Sequence, residues 1–176
     1  MALTQQLARV APAYLERCRA AALASPDAAP GWDPPREDLL DTDWAMWGLI
    51  RYCRSTGAAG DLIALLDRAI SGDPGGDIGF LDHAGMYDGF DGPPRLLTPT
   101  GVTDIAHCLD AVDLDGLLRD LPAAREDAVA ACGFDGGFNG GFDGDVRSYL
   151  VTHFSAMREF YAETARRGQC VVAWVD

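Results

Sequence analysis

Residues 146–175 read VRSYLVTHFSAMREFYAETARRGQCVVAWV. Within them Val146, Tyr149, Leu150, His153, Phe154, Met157, Phe160, Tyr161, Thr164 and Ala165 recur at steps of three and four, so they share one face of a long amphipathic helix. Asp145 is placed to cap its N-terminus through the carboxylate, and Arg166 and Arg167 complement the negative end of its dipole. Gly168 offers the left-handed conformation that ends a helix. The apolar run Cys170-Val171-Val172-Ala173-Trp174-Val175 then reads as a strand buried on both faces. A long C-terminal helix feeding a buried strand predicts an α+β fold: one helix-rich domain spanning residues 1–176, with a small mixed sheet.

Upstream, Leu3 to Val10 forms a weak strand pattern, and Pro12 sits where a first helical residue belongs, ahead of Tyr14, Leu15, Cys18, Ala21 and Ala22 on one helix face. A Pro-rich connector, residues 25–35, carries Trp32 as its one large apolar anchor. A helix is expected to begin within residues 36–43 and to continue through Trp44, Trp47, Leu49, Ile50 and Cys53 to Gly57; a short one follows from Asp61 to Ile70. Residues 71–94 hold seven glycines, five aspartates and three prolines, with no base until Arg95. That composition predicts a long loop with a short strand near Ile78 to Leu81. Thr98-Pro99 is a capped helix start, followed by Val102, Ile105, Ala106 and Leu109. Further helical pieces are expected at residues 114–121 and 122–132. The segment GFDGGFNGGFDGD, residues 133–145, spaces Phe134, Phe138 and Phe142 four apart, but its glycines argue for a loop pinned by phenylalanines.

The net charge is −13, from 27 acids against 14 bases, and every base is arginine. Such a chain repels phosphate backbones, which disfavours nucleic acid, and attracts a basic partner or a cation. No apolar run approaches the ~20 residues of a membrane span, and residues 1–10 lack a signal peptide's basic start. Five dispersed cysteines without a CxxC pair suit reduced, buried thiols. A cytoplasmic location is expected.

Four blocks carry a resemblance: Arg9-Val10, Asp43-Trp44-Ala45-Met46-Trp47-Gly48-Leu49, Pro93-Pro94-Arg95-Leu96-Leu97-Thr98-Pro99, and Phe154 to Trp174. In order and spacing they resemble the YfbM-like family, small bacterial cytoplasmic domains of unassigned function. The resemblance implies a single α+β domain and no reaction. The chain departs from the family in having Trp47 and Ile50 around Gly48, where histidine is common, and Thr100-Gly101 after the Thr-Pro pair.

Few side chains suggest chemistry. His153 lies on the apolar stripe and reads as a core histidine, while His107 and Cys108 point about 100° apart on a helix. His83 is different: Asp82, His83, Asp88 and Asp91, with Arg95 nearby, supply an acid, a base and an anion holder if they converge. For Arg95, pairing with a loop aspartate is the simpler role. Asp135, Asn139, Asp143 and Asp145 are hard oxygen ligands without calcium-loop spacing, and no nucleotide, hydrolase or zinc motif occurs. No cofactor and no metal are expected. Trp44 and Trp47, three apart on a helix, pack into a core or mark a partner site. The expected function is a non-catalytic acidic module that binds another, basic protein, as acidic immunity proteins neutralise toxic nucleases. The alternative is a small-molecule enzyme or ligand-binding protein using the Asp82–Asp91 loop with Arg95.

Overall fold

The computed structural model describes residues 4–87, 92–135 and 142–176. Its centre is strand β4 (Cys170–Val175), which lies in the four-stranded order β2-β1-β4-β3 with β1 (Gln5–Val10), β2 (Leu39–Asp43) and β3 (Arg95–Leu97). β1 runs against β4 from Gln5↔Val175 to Val10↔Cys170, and β3 pairs on the other side from Arg95↔Ala173 to Leu97↔Val171. Every one of these ladders, β1–β2 included, is antiparallel, so the sheet is not mixed. The physical reason is that β4 enters between β1 and β3 running opposite to both.

All six residues of β4 are buried, as expected for a strand covered on both faces. Its alternate residues face two cores. Val171 and Ala173 meet a core built by α2 (Ala45–Thr56), α3 (Gly60–Ser71), α4 (Pro99–Asp110) and α7 (Val146–Arg166). Cys170, Val172 and Trp174 meet a smaller core on the opposite face, formed with α1 (Pro12–Ala24), Trp32, Ile78, Leu81, Met86 and Tyr87. The short helices α5 (Leu114–Leu117) and α6 (Arg125–Cys132) complete the helical side.

The capping grammar holds. Pro12 opens α1, the Thr98 hydroxyl accepts the Gly101 amide, and the Asp145 carboxylate accepts the Ser148 amide at 2.7 Å. Gly57 and Gly168 take positive φ at helix ends. Along α7, Leu150, Phe154 and Met157 are fully buried, each worth about 1.5–3 kcal/mol relative to exposure. Tyr161 donates from its hydroxyl to the Ala69 carbonyl, tying α7 to α3.

Three local expectations are corrected, and one strand is added. Residues 36–43 do not begin a helix: a 3-10 turn, Arg36–Asp38, leads into β2, because Leu40 opposite Leu7 and Leu39 opposite Ala8 gain more from the ladder than from a helix without an apolar stripe. Residues 79–81 form a 3-10 turn rather than a strand, since β3 already occupies the edge of β4. β3 itself, three residues long, lies just before the predicted helix start. Among the thiols Cys108 is exposed; the other four are buried.

Candidate functional site

Strand β2 passes into helix α2 through an unusual turn. Gln5 pairs with Asp43 and Gln6 with Asp41, so Thr42 is an extra, bulged residue. Thr42 is fully buried, its hydroxyl directed at the Gln5 carbonyl. The next residue, Asp43, takes φ +50°, a left-handed conformation that few side chains tolerate and that aspartate adopts more readily than most. Three hydrogen bonds hold it there. The Asp43 amide donates to the Asp41 carboxylate at 2.7 Å, the Tyr149 hydroxyl donates to Asp43 Oδ2 at 2.8 Å, and the Trp44 amide donates to the same hydroxyl at 3.2 Å. Burial, reinforced by the hydrogen bond to Asp43, pushes the Tyr149 phenol well above its ordinary range.

Aromatic rings back this turn. Tyr149 meets Phe134 and Phe142 at centroid distances of 5.6 and 5.0 Å, and the His153 imidazole at 4.6 Å, all edge-on. Phe134 and Phe142, at the described ends of the glycine-rich segment, stack at 5.2 Å, while residues 136–141, Phe138 included, lie outside the described residues. Trp44 and Trp47 pack edge to face at 5.1 Å, half-buried against the larger core.

Along the other side of β2 runs a groove of about 590 Å³, between the strand and the flank of α7. Leu39, 37% exposed, Leu40, Ala156 and Phe160 give it an apolar floor. Arg9 crosses it, bonded through Nε to Asp38 at 2.8 Å and lying over the Phe160 ring at 5.4 Å. Glu163 holds both Arg166 and Arg167. Glu37 and Glu159, by contrast, line the groove without an ion pair among the described residues.

The loop residues singled out from sequence occupy a different region. His83 Nδ1 accepts the Gly85 amide at 2.8 Å, which leaves Nε2 to carry the proton and donate to the Asp27 carbonyl at 3.2 Å. Asp82 accepts the Tyr87 hydroxyl at 2.6 Å, and that bond pushes the phenol up to about 12. Asp88 and Asp91 lie outside the described residues. Arg95 is exposed on β3 and lines a cavity of about 80 Å³ with Gln5, Ser71 and Pro93, a wall that does not include His83. No carboxylate among the described residues pairs with it. Of the candidate cation ligands, Asp145 is the α7 cap, with Ser148 holding its carboxyl below the usual range, and Asn139 lies outside the described residues. Among the described residues no three His, Cys, Asp or Glu side chains gather as a metal site.

A further concavity of about 440 Å³ opens between the N-termini of α6 and α7. Its arginines are engaged with backbone carbonyls: Arg147 donates to that of Leu118 at 2.6 Å and Arg125 to that of Asp143 at 3.3 Å. Of the nominated residues that lie among the described ones, Trp44 and Trp47 are in contact with each other, while His83 and Arg95 do not share a cavity wall. Asp41, Asp43 and Tyr149 adjoin them at the β2–α2 turn, whereas Glu37 and Glu159 lie apart in the groove on the other side of β2; all five gain a place only once β2 is recognised as an edge strand. The one sequence signal for it was the pair of aspartates flanking Thr42, just ahead of a helix.

A family model described as a domain of unknown function, DUF1877, matches residues 27–174, and the chain belongs to that family. Its fold is that of YfbM from Escherichia coli, a protein of unknown function whose crystal structure superposes with a TM-score of 0.59 at 14% identity, over 98% of this chain and 99% of that one. At that identity the likeness shows the fold alone. No curated protein matches the chain. Among the described residues no helix is long and apolar enough to cross a membrane.

Proposed function

We propose that this chain is a non-catalytic, cytoplasmic interaction module of one domain that binds a protein with a basic surface, in the manner of an immunity-type neutralising partner. The observation that carries the reading is the β2–α2 junction. An exposed carboxylate, Asp41, and a half-buried one, Asp43, flank an edge-to-face tryptophan pair on a backbone locked by Tyr149. Aromatic anchors beside charges on a rigid support are the composition of a binding hot spot, and a net charge of −13 steers basic partners toward it.

The alternative, a small-molecule site on the Asp82–Asp91 loop with Arg95, draws less support. Both ring nitrogens of His83 are engaged with backbone groups, so this imidazole is already occupied.

The test is capture from a native host lysate at low and high salt, with wild type and a Trp47→Ala variant checked for folding. A stoichiometric basic protein, lost at high salt and weakened by the substitution, supports the module. Association that ignores salt, or that survives Trp47→Ala unchanged, overturns it.

A further inference from the structure

The two edges of the sheet are treated differently. Beyond β3 the chain supplies its own neighbour, because Asp73 forms a bridge to Leu96 and its amide donates to the Leu96 carbonyl at 3.2 Å. Beyond β2, the last strand in the order, no further strand follows among the described residues. An unpaired strand presents a row of backbone donors and acceptors that will take any extended chain of suitable side chains. Moreover, the groove between Leu39–Leu40 and the flank of α7 lies where the inward side chains of a fifth strand would go.

Charge decides what that strand is. A second copy of this chain is the first candidate for any open edge, but antiparallel self-pairing about the middle of β2 would set Asp41 against Asp41, and both chains carry −13. Like charges directly opposite are destabilising, so the strand is guarded against its own kind. The same carboxylates invite the opposite sign. Asp41 stands exposed on the strand, while Glu37 at one end of the groove and Glu159 on α7 have no ion-pair partner among the described residues. Between them Leu39, Leu40, Ala156 and Phe160 offer apolar contact to a stem or a small side chain. Arginine and lysine, with aliphatic stems and charged heads, match that sequence of surfaces.

We infer that β2 accepts an extended, lysine- or arginine-bearing segment of a partner protein as a fifth strand, with alternate side chains seated in the β2–α7 groove. Main-chain bonds to the edge supply the register-free part of the affinity, and Glu37, Glu159 and Asp41 select the cationic side chains. The inference rests on the interaction-module reading and specifies its mode of contact.

The probe is a ten-residue peptide alternating lysine and valine, titrated into the isotope-labelled full chain at low salt, with amide hydrogen exchange as readout. Slowed exchange confined to residues 39–43 is expected, with affinity falling as salt rises. Methylating every second peptide nitrogen keeps the charge and removes strand pairing, so it should abolish that protection. Glu37→Lys with Glu159→Lys, both at exposed positions, should weaken binding on the order of tenfold and admit the glutamate-for-lysine peptide instead. Equal binding of the methylated peptide, protection elsewhere, or no binding overturns strand addition. If the lysate partner is nevertheless captured in a salt- and Trp47-dependent way, the module reading survives the loss of this one. If that capture fails as well, both readings fall.

Discussion

Replacing Gly48 by alanine should destabilise the protein, although the position lies inside α2, where alanine is favoured over glycine by about 1 kcal/mol. A methyl group there would stand 2.2 Å from Phe134 Cζ and 2.3 Å from Cε1, against an ordinary contact of 3.4 Å or more. The ring must therefore retreat by about an ångström, and its neighbours resist. Phe134 is 2% exposed, stacked on Phe142 at 5.2 Å and held edge-on by Tyr149 at 5.6 Å. Overpacking of this kind costs about 1–3 kcal/mol, and full expulsion approaches the ~3–5 kcal/mol of losing a buried phenylalanine. After the helical gain is subtracted, overpacking leaves a net loss of up to about 2 kcal/mol and expulsion one of about 2–4 kcal/mol, or up to roughly 16 °C in Tm for a chain of this size. The assay is a double-mutant cycle with Phe134→Ala, read by denaturant unfolding. In the Phe134→Ala background Gly48→Ala should become neutral or stabilising, giving a coupling of about 2 kcal/mol. If Gly48→Ala stabilises the native chain, or costs the same in both backgrounds, Phe134 is not packed on Gly48 as described.

Tyr149→Phe removes the hydroxyl that bridges Asp43 and the Trp44 amide, and should cost about 1–2 kcal/mol with a change in the near-ultraviolet tryptophan signal; an unchanged Tm would show the bridge to be idle. All five tyrosines, at positions 14, 52, 87, 149 and 161, are held above their ordinary range, chiefly by burial and, at Tyr87, by its bond to Asp82. Raised values in the folded state mean that stability is complete below the unfolded phenol value of about 10 and drains away as pH climbs through the folded values. Phenolate absorbance should thus appear above pH 10 together with loss of circular dichroism, and titration near pH 10 with the fold intact would contradict the burial. With Cys108 alone exposed, a thiol reagent should label one equivalent in the native protein and five after unfolding; burial pushes Cys53 and Cys132 up to about 11, which protects them further. More than one native equivalent would mean that a buried thiol is reachable.

Much of the framework was legible because it rests on local rules. The α7 stripe, the Asp145 and Thr98 caps, Pro12, and the glycine stops at 57 and 168 each follow from spacing or backbone preference within a few residues. β2 and β3 were not legible for the opposite reason. LLDTD is short and acidic, and RLL is three residues long, so neither carries a period of its own. They are strands because β1 and β4 offer ladders to complete, a fact of tertiary pairing. The site shared that fate. Trp44 and Trp47 stood out as large aromatic residues, whereas Asp41, Asp43 and Glu159 were unremarkable carboxylates among 27 until a bulge and an edge gave them a place. His83 misdirected attention because sequence shows a titratable ring but not the Gly85 amide and Asp27 carbonyl that occupy it.

The position of β4 in the sheet has a consequence for synthesis. β1 finds its central neighbour only through Gln5↔Val175 to Val10↔Cys170, and β3 has no sheet at all without Val171 to Ala173. At ribosomal speeds of about 5–20 residues per second, β1 waits on the order of ten to thirty seconds after its own emergence for that strand. During the interval its apolar residues Leu7, Ala8 and Val10 are uncovered on one side, as are the helices that will pack over β4. A nascent chain of this design invites chaperone engagement until residue 175 is clear, and its folding behaves as a late closure of β1 and β3 onto β4, with the slow rates that long-range pairing brings.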